Sequence, residues 1–288
     1  MLTSTFCHIP NIGEKIERKI WEHGVTTWEE ALLEFSSRRL PYPALHHTLK
    51  SFVLRSLSHL EREEASFFAS FLPSRELWRM FPEFRHHLVF LDIETTGLNP
   101  PDDHITTITL FNGKEIKTFI RGVNLREFAR EIMHYKVIVT FGGKCFDVPF
   151  IERTLGVKLP QVHIDLRYIL RSLGFKGGLK ACEKMLGIDR GELKGVDGYA
   201  AVLLWQKYEE GCPEALETLL AYNIADTINL EKLMIFAYNT KLSLLPLSLP
   251  PLPEPPSRIV TPYKAHPEVI QEIFYEKLRY LSQKGENT

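Results

Sequence analysis

Cysteine is scarce: Cys7, Cys145, Cys182 and Cys212 are scattered through 288 residues. None forms a C-x-x-C pair, which excludes a disulfide framework and a zinc-knuckle pattern. No uncharged apolar run approaches the ~18–20 residues of a membrane helix, and the opening MLTSTFCHIP lacks a signal-peptide pattern. The expectation is a reduced, cytoplasmic protein with no membrane partner. Charge of one sign is also missing. The formal net charge is −1, so a nucleic-acid partner would have to be held by local basic patches and metal ions, not by an overall field. No internal repeat is evident.

What the chain does have is the segment from Phe90 to Leu98, FLDIETTGL. It sets Asp92 and Glu94 two residues apart in an apolar run that reads as a strand. Residues i and i+2 of a strand point to the same face, so both acids leave one rigid element together. Buried carboxylates of like sign need a cation. Hard oxygen ligands of this kind suit Mg²⁺ or Mn²⁺ better than zinc.

Periodicity and breakers divide the chain into residues 1–85, 86–240 and 241–288. The first part reads as helical, with apolar spacing near 3.6 in Ala44–Leu60 and breaks at Pro41, Pro43, Pro73 and Pro82. In the second part, Leu88–Ile93, Ile105–Phe111 and Glu115–Ile120 read as strands, with Asn112-Gly113 as a two-residue hairpin signal. A helix over Leu125–Met133, a strand at Val137–Phe141, a helix over Val148–Leu155 and a strand at Val162–Leu166 follow, then helices through Asn239. This is the order of an α/β, RNase H-like mixed sheet flanked by helices. The third part opens on Leu245–Pro256, whose six prolines exclude regular helix. A linker is the simpler reading, a polyproline II ligand the alternative. Val269, Ile270, Ile273, Phe274, Leu278 and Leu281 then form an amphipathic segment expected to dock onto the protein.

Two more acids join the first pair. Asp147 stands in the run FGGKCFDVPF, just after a strand and at the mouth of a helix. Asp226 lies in LAYNIADTINL, where Tyr222 shares its helix face four positions earlier. D-x-E on a first strand, F-D after a later one and Y-x-x-x-D on a late helix together resemble the DEDD exonuclease superfamily, and the tyrosine spacing resembles its DEDDy branch. Ala221 stands where the DEDDh branch has histidine. FDVPF is similar to the proofreading exonuclease domain of B-family DNA polymerases. The whole chain, including Pro73–Pro82, resembles stand-alone prokaryotic RNase H-like exonucleases. One departure is Gly142, where that family often has asparagine.

The resemblance implies 3′→5′ hydrolysis of phosphodiester bonds by two divalent ions, with DNA favoured. It implies that Asp92 bridges both ions, that Glu94 and Asp226 complete one shell, and that Asp147 holds the second. Tyr222 would orient the attacking hydroxide, its ordinary pKa of ~10 making it a poor base. Thr95, Thr96, Gly97 and Leu98, with Lys144 and Phe146, would seat the terminal nucleotide of a single-stranded 3′ end. The rivals are a catalytically weak or inactive nucleic-acid-binding protein and an RNA-directed exoribonuclease. Asp165 ends a strand near the site, either supporting it or simply paired. Arg167, Arg171, Lys176 and Lys180 surround the run Gly174–Gly178, either a phosphate-contacting loop or a solvated turn.

The opening run HIPNIGEKIERKI resembles a helix-hairpin-helix element that grips duplex backbone, with few residues upstream for a first helix. Asn11 suits a left-handed turn, and Lys15, Arg18 and Lys19 add charge. The next helix is expected to end at Gly24 and another to be capped at Thr27.

Overall fold

A computed structural model describes residues 1–37, 46–100, 102–255 and 260–285. The proline breaks at Pro41 and Pro43 lie outside the described residues, as do the side chain of Leu281 and Pro256. In chain order the elements are α1 (Glu14–Glu22), α2 (Trp28–Ser37), α3 (His46–Glu61), α4 (Ala65–Phe71), α5 (Phe81–Phe84), β1 (Leu88–Thr95), β2 (Ile105–Phe111), β3 (Ile116–Ile120), α6 (Phe128–Glu131), β4 (Val137–Thr140), α7 (Asp147–Leu155), β5 (Val162–Asp165), α8 (Leu166–Ser172), α9 (Leu179–Met185), α10 (Gly198–Glu209), α11 (Pro213–Ser243) and α12 (Pro267–Gly285). The five strands form one sheet ordered β3-β2-β1-β4-β5. β1–β2–β3 is an antiparallel meander, while β4 and β5 run parallel to β1. This is an RNase H-like mixed sheet preceded by a helical region.

Alternation along β1 decides what the site sees. Val89, Leu91 and Ile93 turn to a core built with Phe128, Ile132, Phe150 and Ile151 from α6, α7 and their flanks. Leu88 and Phe90 turn the other way, into a core that contains Leu230, Leu233 and Ile224 of α11 and also Phe6, Trp28, Phe68 and Trp78 of the amino-terminal region. Asp92 and Glu94 have the parity of Phe90, so they leave the sheet toward α11. α11 is 31 residues long and buries most of its length, including Tyr222, Asn223 and Asp226.

Several local expectations hold in detail. Gly24 has φ +84° at the end of α1, with the Val25 amide donating to Ile20 O and that of Gly24 to Trp21 O. Thr27 and Glu30 form a reciprocal cap, the Glu30 amide donating to Thr27 Oγ1 and the Thr27 amide to Glu30 Oε2. Asn11 has φ +67°. Upstream of it, Leu2–Ser4 makes one 3-10 turn.

Others are corrected. The turn between β2 and β3 spans residues 112–115, since Phe111 pairs with Ile116. Gly113 has φ +89°, and the Asn112 carboxamide accepts from the Lys114 and Glu115 amides. Asn112 thus opens the turn instead of centring it. The helix expected over Leu125–Met133 is one α-turn, Phe128–Glu131, between two 3-10 turns. Leu245–Pro255 is irregular as expected, but it is not a free linker. Leu245, Leu247, Leu249 and Leu252 pack on the main core, and the Asn239 carboxamide donates to Leu252 O at 2.9 Å and accepts its amide at 2.8 Å. In α12, Val269, Ile270 and Ile273 are buried against α10 and α11, whereas Leu278 is exposed. No helix among the described residues is long and apolar enough to cross a membrane.

Candidate active site

Carboxylate oxygens of Asp92, Glu94 and Asp226 lie within 4.8 Å of one another. β1 supplies two of them and α11 the third. Register between β1 and β2 shifts between Glu94 and Thr95, just where the acids leave the strand. Asp147 is the first residue of α7 and is buried. It lies outside the set of three, yet its charge acts on both Asp92 and Glu94.

Burial first, and the neighbouring carboxylate Asp147 second, push Asp92 up to about 7. Burial and the Asp92 charge raise Glu94 well above the ordinary carboxylate range. Burial pushes Asp147 up to about 7 as well, with Asp165 adding to it. Lys180 and Arg190 pull Asp92 and Glu94 back down, but burial and like charge outweigh them. Hard oxygen donors in such a group fit a divalent cation of the Mg²⁺ or Mn²⁺ kind.

Asp92 is held by Asn223, whose Nδ2 donates to Asp92 Oδ2 at 2.7 Å. The Asn223 carbonyl accepts from Thr109 Oγ1 at 2.6 Å and Thr107 Oγ1 at 3.2 Å. Two β2 hydroxyls therefore fix the amide that fixes the acid. Asp226 faces two cations: Lys180 Nζ donates to its Oδ2 at 2.8 Å, and Arg190 pairs with its Oδ1. Arg190 is nearly buried and also donates to Glu183. Tyr222 is buried one helical turn before Asp226, with Lys180 Nζ 4.6 Å from its ring centroid. Burial and then Glu94 hold its hydroxyl above the ordinary phenol range, so it is protonated at neutral pH.

The residues expected to seat a nucleotide divide. Leu98, four residues past Glu94, is 75% exposed. Gly97 is packed so closely under Asp103 that an added Cβ would lie 2.4 Å from its carboxylate oxygens. Thr95 Oγ1 donates to Gly97 O, and the Thr96 amide donates to His104 O. That amide is engaged, so it is not one of the free donors expected there. Lys144 is exposed, while Phe146 packs at 5.4 Å on Phe150.

Asp165 joins two elements. It caps α8 through the Arg167 amide and accepts the amides of Gly142 at 2.7 Å and Lys144 at 3.1 Å. It thereby fixes the β4–α7 loop that leads to Asp147. Gly142 has φ +80°, and Arg167 Cδ would stand 3.5 Å from an added Cβ. Glycine and asparagine are the residues that best tolerate that backbone. The departure at Gly142 thus keeps the turn, and a side chain there would meet Arg167 at ordinary van der Waals distance.

A second group, Glu63 with His86 and His87, also offers three ligand atoms. Lys136 Nζ already donates to Glu63 at 3.0 Å, and the group reads as an ionic strap from the end of α3 to β1 and β4.

Sheet order and acid placement together define an RNase H-like α/β protein with carboxylates gathered over its central strand. A family model of the RNase H superfamily, RNase_H_2, matches residues 89–238, just over half of the chain, and the chain belongs to that family. No curated protein matches. Among solved structures, the family B DNA polymerase of the archaeon Pyrobaculum calidifontis is similar at 19% identity over 54% of this chain and 24% of that one, with TM-score 0.41. A structure described as the apo form of a nuclease is similar at 22% identity over 55% and 73%, TM-score 0.38. Brucella melitensis NrnC is similar at 18% identity over 57% and 88%, TM-score 0.30. These are distant likenesses of fold.

Proposed function

We propose that the chain is a metal-dependent 3′→5′ exonuclease of the DEDDy kind, acting on single-stranded ends with DNA favoured. The observation that carries this reading is the meeting of Asp92, Glu94 and Asp226 within 4.8 Å, with Asp147 acting on the first two. Asp92, Glu94, Asp147 and Asp226 are the residues that would hold two Mg²⁺ or Mn²⁺ ions. Such ions supply a nucleophile at neutral pH and charge stabilisation at the scissile phosphate. The chain's own residues do the rest. Asn223 keeps one oxygen of Asp92 occupied and so aims the other. Tyr222, protonated and fixed by packing, donates a hydrogen bond that orients the attacking oxygen and does not act as base. Lys180 and Arg190 balance Asp226 and stand beside the place where phosphate charge arrives. Leu98 parts the terminal base from its neighbour, with Gly97 and Thr95 shaping the floor, Thr96 fixing Asp103, and Lys144 and Phe146 flanking the β4–α7 loop.

In the same proposal, residues 1–85 form a helical region, 86–240 the nuclease domain, and 241–288 an appendage, all in the cytoplasm. The left-handed Asn11 supports a helix-hairpin-helix-like turn in the first of these. Glu14 and Glu17 in the first turn of α1 weigh against phosphate binding there, since Glu17 itself accepts the Phe6 and Cys7 amides.

One observation favours a second reading, binding without turnover: both oxygens of Asp226 already face cations. The deciding experiment incubates purified protein with Mn²⁺ or Mg²⁺ and 3′- or 5′-labelled DNA and RNA oligonucleotides, and reads product length. The exonuclease reading expects mononucleotide release from the 3′ end, lost in Asp92→Ala and Asp226→Ala. Degradation that persists in those variants, or binding without products under every divalent ion, rejects it.

A further inference from the structure

Helix α8 separates two clefts of opposite chemistry at the same edge of the sheet as the acids. β1, β4 and β5 are parallel, so the loops leaving β4 and β5 open at the end of the sheet where Asp92 and Glu94 sit. β5 is two strand spacings from β1, about 10 Å. On one side of α8 is a cavity of about 360 Å³, lined by Leu77, Ile164, Ile169 and Tyr168 together with Lys144, Arg75 and Asp165, whose carboxylate is taken up by the Gly142, Lys144 and Arg167 amides. Tyr168 is 51% exposed, and Arg75 is shared with Glu14. On the other side is a cleft of about 170 Å³ lined by Arg167, Arg171, Lys176 and Phe175. Arg167 and Arg171 are four apart on α8 and share a face. No salt bridge involves Lys144, Arg167, Arg171 or Lys176 among the described residues. Four exposed cations with no acid partner, in a chain of net charge −1, are a local concentration of positive field.

We infer that α8 is a ridge over which the substrate strand runs upstream of the scissile bond, with backbone phosphates in the Arg167–Arg171–Lys176 cleft and a base against Tyr168. A polynucleotide is the occupant whose two sides match: a charged backbone and flat apolar bases. Arg167 ties the ridge to the chemistry, because it lies over Gly142 in the loop that ends at Asp147. The inference rests on the nuclease reading for the direction of the strand but not for its binding.

The test uses the full chain in EDTA and a fluorescein-labelled 12-nucleotide oligo-dT, with affinity measured against salt. Each cation that meets a single-strand phosphate contributes about 0.7 to the log–log salt slope. Arg171→Glu with Lys176→Glu should reduce the slope by about 1.4 and weaken binding at least ~10-fold. Tyr168→Ala should weaken the oligomer about fivefold or more, but leave an abasic phosphodiester of the same length unchanged. With Mn²⁺, hydrolysis of thymidine 5′-(p-nitrophenyl phosphate), too short to reach the ridge, should stay within about twofold of wild type in all these variants. The double variant Arg171→Lys with Lys176→Arg should keep the wild-type slope. An unchanged slope in the charge-reversed protein overturns the proposal, as does parallel loss on the short ester. Competition by polyglutamate at equal charge concentration overturns the assignment to polynucleotide. Wild-type protein that binds with the expected slope and hydrolyses nothing sinks the nuclease reading while the ridge stands.

Discussion

Asp92 is restrained through Asn223 by hydroxyls that belong to another strand, and this fixes the consequence of removing the amide. Asn223→Ala leaves Thr107, Thr109 and one oxygen of Asp92 without their shared partner in a buried place. A loss of about 1–3 kcal/mol in urea denaturation is expected, together with weaker Mn²⁺ binding by calorimetry; unchanged values of both would show the bond idle. The raised carboxyls make a second prediction. A group whose folded pKa exceeds its unfolded one stabilises the fold below the unfolded value and loses that contribution as pH rises through the folded value. For Asp92 and Asp147 the loss runs from about pH 4 to about 7. Metal-free protein should therefore lose melting temperature across that window, and Mn²⁺ should raise it more at pH 8 than at pH 5, because its binding displaces protons. An equal Mn²⁺ shift at both values would contradict the shared site.

At the level of elements, the Leu245–Pro255 strap depends on one side chain. Asn239 bonds Leu252 through both of its amide atoms, so Asn239→Ala should cost about 1–2 kcal/mol. Limited proteolysis should then cut within 245–255 faster than in wild type. The elements also show what sequence reading reaches. Asp92, Glu94, Tyr222 and Asp226 were legible because each obeys a local period, two on a strand and four on a helix. Lys180 and Arg190 were not legible as partners of Asp226. They come from α9 and from an irregular stretch beyond it, and a long-range ion pair leaves no periodic mark. Asn223 did leave one, a polar residue on the buried side of an apolar helix beside Tyr222. The strap had a signal too: leucines at 245, 247, 249 and 252 among the prolines, which a solvated linker has no reason to carry. The hairpin turn was misplaced because Asn112 works through its side chain, an Asx arrangement that mimics the backbone of a turn.

Across the whole molecule, one continuous core joins the amino-terminal aromatics to Phe90, Phe111 and α11. Arg79 is the polar counterpart of that union. It is 2% exposed, donates to Glu17 at 2.9 Å and to Glu76 at 2.7 Å, and Glu17 in turn holds the Phe6 and Cys7 amides. Arg79→Met strips two buried carboxylates of their cation, a change that costs about 3–5 kcal/mol. Tryptophan fluorescence, from Trp21, Trp28 and Trp78 beside that core once Trp205 is replaced by Phe, and far-ultraviolet dichroism should then fall together at a lower urea midpoint. Separate transitions would show that the helical region and the sheet unfold independently.

Because Lys180 and Arg190 already sit on Asp226, that one carboxylate of the proposed site is balanced without an ion. The polypeptide brings its own ballast. If the proposed ions bind there, maturation and arming are expected to be separate events: the chain should reach its native shape in chelator, with Lys180 and Arg190 yielding Asp226 to a cation afterwards.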